Sequence, residues 1–98
     1  MTEVDLSELK QAVERTHGGT AKFVQSVPVK EEFQGETAFQ GNVAIFDLEG
    51  HSKATRAYAW AQDRPDGKQR YVAVLHMGPV TGPVEAVRAA IVAERRER

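Results

Sequence analysis

Hydrophobic positions along the chain follow two rhythms. Between Leu6 and Thr16 the apolar residues Leu6, Leu9 and Val13 recur at helical spacing, with Ala12 beside them, which predicts a short amphipathic helix. Asp5 and Glu8 stand at capping-box spacing, and Gly18-Gly19 accept the left-handed conformation that closes a helix. The stripe is narrow, so this helix is expected to depend on docking.

After Gly19 the period falls to two and β-branched and aromatic residues dominate. Phe23, Val27 and Val29 share one phase, while Pro28 lacks a ladder donor and marks an edge strand. Gly35 and Gly41 each offer a turn or a bulge, which leaves residues 32–48 as one bent strand or two around a core at Val43–Leu48. Asp47–Ser52 reads as a turn-rich connection. Residues 53–62 and 70–77 then flank Arg64-Pro65-Asp66-Gly67-Lys68, a turn that sets Trp60 opposite Val72, Tyr58 opposite Val74 and Arg56 opposite His76. The reverse face carries Ala57, Ala59, Ala61, Tyr71, Ala73 and Leu75. Both faces of the hairpin are therefore apolar, and a sheet with one solvated face would not need that.

A second helix closes the chain. Gly82 or Thr81 caps it, Pro83 takes the first position, and Glu85 falls in the first turn. Val84, Val87 and Ile91 form its stripe. Ala86, Ala89, Ala90 and Ala93 keep it thin, so it is expected on the alanine face of the hairpin. Arg95, Arg96 and Arg98 suit its C-terminal dipole. The predicted order is α-β-β-β(-β)-α: an α+β two-layer sandwich with an antiparallel sheet and terminal helices, one domain over residues 1–98.

Composition narrows the functions open to such a domain. A chain of 98 residues without cysteine has no disulfide, no thiolate zinc site and no thiol nucleophile. Thirteen basic residues against fourteen acidic ones make no global field for nucleic acid or a membrane surface. No apolar run approaches the roughly twenty residues needed to span a bilayer, and residues 1–11 carry no signal-peptide pattern. A cytoplasmic location, with no membrane partner, is the expectation.

Candidate chemistry is sparse. The three histidines, His17, His51 and His76, form no metal-binding spacing. Asp47-x-Glu49-x-His51 is the nearest to a ligand cluster, and a solvated polar loop explains it better. His17 suits a helix C-terminus and His76 a strand end. Neither GxSxG nor SxxK occurs. The loop Gly78–Pro83 leads from strand to helix, but its prolines remove donors that an anion would need. No catalytic residue, metal or cofactor is expected. A small metal-dependent or hydrolytic enzyme around Asp47, Glu49, His51 and His76 ranks third among the readings.

Arg56, Tyr58 and Trp60 alternate on one strand face. Aromatic and basic residues on an open sheet can stack and neutralise single-stranded nucleic acid, here with help from Lys53 and Arg70. The same residue types also dominate protein–protein hot spots, and balanced charge favours that second reading. Were both helices to pack on the alanine face, the opposite face would be left to a partner. The leading expectation is therefore a non-enzymatic interaction module, a homodimer or a partner of another protein, with Arg56, Tyr58, Trp60, Val72, Val74 and His76 at the interface. Single-stranded nucleic-acid binding is the alternative.

Two resemblances bear on this. The helix–strands–helix order is similar to the double-stranded RNA-binding domain. However, Thr81–Glu85 (TGPVE) lacks the basic residues of that family's helix start, and its Gly-Pro-x-His turn is absent, so no function follows. Gly50-His51-x-Lys53-Ala54, Tyr58-Ala59-Trp60, Ala73-Val74-Leu75 and Ala86–Ile91 together resemble small uncharacterised bacterial α+β proteins over about residues 27–94. That resemblance implies a bacterial, cytoplasmic setting and brings no site residues with it.

Overall fold

Four strands and two helices follow one another as α1 (Leu6–His17), β1 (Thr20–Phe33), β2 (Glu36–Glu49), β3 (Arg56–Asp63), β4 (Gln69–Leu75) and α2 (Pro83–Arg96). The structure, a computed structural model, describes residues 6–63, 67, 69–78 and 80–96. Asp5, the turn residues 64–66 and 68, Pro79 and Arg98, all invoked above, lie outside the described residues. The strands form one antiparallel sheet in the order β1-β2-β3-β4. The α+β class and the helix–sheet–helix order are as the sequence predicts.

The ambiguity between residues 32 and 48 resolves into two strands. Gln34 and Gly35 both have positive φ, 54° and 81°, the backbone that a two-residue hairpin turn requires. Gly41 stays within β2, where the Phe39 ring lies over it, 3.4 Å from where a Cβ would sit. Asp47–Ser52 is less of a loop than expected, because β2 continues through Glu49.

One phase assignment is corrected. The β1–β2 register shifts between Phe23 and Gln25, which leaves Val24 as a bulge. An extra residue reverses the alternation. Phe23 therefore meets the Phe46 ring edge-on at 5.9 Å on one side of the sheet, while Val27 and Val29 face the other. A second shift between Glu31 and Glu32 bulges β2 at Ala38.

The C-terminal helix does not lie on the alanine face. Leu9 and Val13 of α1 pack there, on Ala57, Ala59 and Phe46. Ala86, Val87 and Ile91 of α2 cover Tyr58 and Trp60 on the opposite face. The sheet thus has a helix on both sides, as a middle layer. Volume matching explains the outcome: a thin helix fills the space above large rings, and a bulkier one fills the space above alanines. Each fully buried large side chain, Trp60 and Val87 among them, contributes about 1.5–3 kcal/mol.

Candidate functional site

The expected interface residues divide once the chain is folded. Tyr58 and Trp60 are 2% and 1% exposed. Neither ring offers a face to a nucleobase or to a partner. The Phe39 ring packs edge-on against Trp60 at 5.7 Å, and the indole Nε1–H is buried without a hydrogen-bond partner among the described residues. Arg56 is tied to the neighbouring strand, its guanidinium 3.2 Å from Asp47 Oδ1 directly across the ladder. Val72, Val74 and His76 are half-buried, at the side of the sheet where β4 ends it.

The registers explain why β4 matters. Trp60 opposes Val72, Tyr58 opposes Val74 and Ala59 opposes Ala73, as the turn spacing predicts. The His76 N–H donates to the Arg56 carbonyl at 2.9 Å. In an antiparallel ladder this makes the even-numbered residues of β4 the ones bonded to β3. The N–H and C=O groups of Tyr71, Ala73 and Leu75 consequently point out of the sheet. Their side chains lie on the α1 face, with Tyr71 exposed and Ala73 and Leu75 half-buried. Val72 and Val74 form the other flank. Exposed Met77 follows directly.

The two edges of the sheet differ in chemistry. β1 carries the Val24 bulge, Pro28, and exposed Lys22 and Lys30, all features that discourage a strand from adding there. From Tyr71 to Leu75, β4 has no bulge, proline or charge. One group guards it. His17, the last residue of α1, places Nε2 2.9 Å from the Ala73 carbonyl oxygen, and so donates to the central outward acceptor of the edge.

His76 sits at the end of this edge, its Nδ1 2.7 Å from the Tyr58 hydroxyl. Burial pushes the Tyr58 phenol above its ordinary pKa; Arg56 opposes the shift and Glu85 adds to it. The pair is tied into the structure, with Glu85 folded back over Gly82 at the start of α2. The other polar residues considered above are not gathered into a site. His51 Nδ1 accepts the Lys53 and Ala54 N–H groups at 3.0 Å each and so holds the β2–β3 turn. Asp47 pairs with Arg56, and Glu49 with Lys22. No group of three potential metal ligands occurs among the described residues.

The turn spacing places Val72, Val74 and His76 opposite Trp60, Tyr58 and Arg56, as the structure has them, but does not single out Tyr71, Ala73 or His17 on the outer edge. The apolar run 71–75 was the available signal, since it reads as a strand without gatekeepers. No described helix is long and apolar enough to cross a membrane. Compared with protein-family models, curated proteins and solved structures, the chain matches none, so the arrangement of its own residues carries the functional argument.

Proposed function

We propose that the chain is a non-enzymatic interaction module that acts as a homodimer in the cytoplasm, with the outer edge of β4 as its contact. The observation that carries this reading is the asymmetry of the sheet: a guarded β1 edge and an apolar, uncharged β4 edge from Tyr71 to Leu75. Strand addition would satisfy the outward N–H and C=O groups and cover the half-buried Val72 and Val74. Tyr58 and Trp60 support the strand from beneath, a different role from the direct contacts expected of them.

Sedimentation equilibrium of the wild type and of Tyr71→Pro tests the proposal. Proline at this position deletes an outward N–H and leaves the β3–β4 ladder intact. The wild type is expected to dimerise as concentration rises, and Tyr71→Pro to remain a folded monomer by circular dichroism. A wild type monomeric at every concentration, or a variant that dimerises as well as the wild type, would overturn the reading.

A further inference from the structure

Resting on that reading, we infer that the partner strand is β4 of a second copy, antiparallel and centred on Ala73, and that His17 is the latch this pairing must displace. The strand is close to self-complementary about its middle. With Ala73 opposite its own copy, Val72 meets Val74, Tyr71 meets Leu75 and Arg70 meets His76. Each central pair is apolar on apolar, every pairing is reciprocal as an isologous contact between identical strands requires, and the small Ala73 side chain lies at the two-fold axis. Arg70 is the single charge of residues 69–75, and this register sets no arginine against another.

Hydrogen-bond parity agrees with the same register. Because Ala73 points both backbone groups away from β3, two copies opposed there exchange both bonds. The carbonyl that would accept the partner's Ala73 N–H is the one that His17 Nε2 now occupies at 2.9 Å. His17 is half-buried and ends α1, just before Gly18 at φ 83°, so its ring can swing away without unwinding the helix. A second copy of β4 replaces the lost side-chain bond by a backbone bond. The latch thus opposes association by about one neutral hydrogen bond in each copy.

Four variants test this. Removing the latch with His17→Ala forfeits a bond that each copy gives up on pairing, about fivefold per copy, and should tighten the dimer by roughly 25-fold. His17→Gln keeps a donor and should stay near the wild type. The chain has no cysteine, so Ala73→Cys can be oxidised without background. It should cross-link into a covalent dimer, whereas Tyr71→Cys, opposite Leu75, should not. Should the shortened side chain loosen α1, the wild type supplies a second measurement. The His17 Nε2 proton is expected to be protected from exchange in the monomer and to lose that protection on dimerisation.

A dimer that Tyr71→Pro abolishes, but that His17→Ala fails to tighten or Ala73→Cys fails to trap, overturns the latch or the register and leaves the edge reading standing. Protection of the His17 proton retained in the dimer likewise overturns the latch. If the wild type remains monomeric at every concentration, the edge reading itself falls.

Discussion

Burial raises the proton affinity of the Tyr58 phenol, against the pull of Arg56 and with the help of Glu85. The unfolded chain ionises a tyrosine near ~10. Stability held by the neutral phenol is therefore complete below that value and is lost as pH rises through the higher folded one. Thermal melts across the alkaline range should show a steeper decline for the wild type than for Tyr58→Phe; equal slopes would mean that the phenol ionises as freely in the fold. At neutral pH the same variant should cost about 1 kcal/mol, the hydrogen bond to His76. The glycines before β1 permit a second comparison at this scale. Both have positive φ, but a Cβ on Gly19 would lie 2.8 Å from the Glu49 carbonyl oxygen, and one on Gly18 would meet nothing within 4 Å. In urea titrations Gly18→Ala should lose about 1 kcal/mol and Gly19→Ala clearly more, about 2 kcal/mol or above. Similar losses would show that the β1–β2 end gives way to the methyl group.

Among the elements, α2 has the more exacting task, because it is the helix that covers the Tyr58 and Trp60 face, with Phe39 and Val80 beside it. Val87 is 1% exposed within that contact. Val87→Asp would bury a charge without a partner and should destabilise the domain by about 3 kcal/mol or more. As α2 lifts, the Trp60 emission should move to longer wavelength; a variant that keeps the buried emission would show that the helix does not seal this face. Much at this scale was legible in the sequence. The span of α1 followed from Leu9, Val13 and Gly18, and the β3–β4 register from the turn at 64–68. The Val24 bulge was not, because a period of two reads the same whether or not one residue is skipped. Nor was the face chosen by each helix, which depends on matching volumes between elements far apart in sequence. The His17 guard was least legible of all: it joins residues 56 positions apart through a side chain that, in sequence, suits only a helix end.

For the molecule as a whole, each strand pairs with its neighbour in sequence, so the sheet can zip from local hairpins with little loop-closure cost. Bringing α1 onto β4 is different, since it joins residues as far as 56 positions apart. This contact is expected to form late. Until it does, the β4 edge has neither its flanking helix nor the His17 hydrogen bond, and strands of separate chains can meet there. Refolding from urea should accordingly lose yield and scatter light transiently as protein concentration rises, more so for His17→Ala; a yield independent of concentration in both would count against late docking. The bond between His17 and Ala73 thus orders the life of the chain in time: the edge is bare until α1 docks, held by the ring afterwards, and paired once a second copy displaces it.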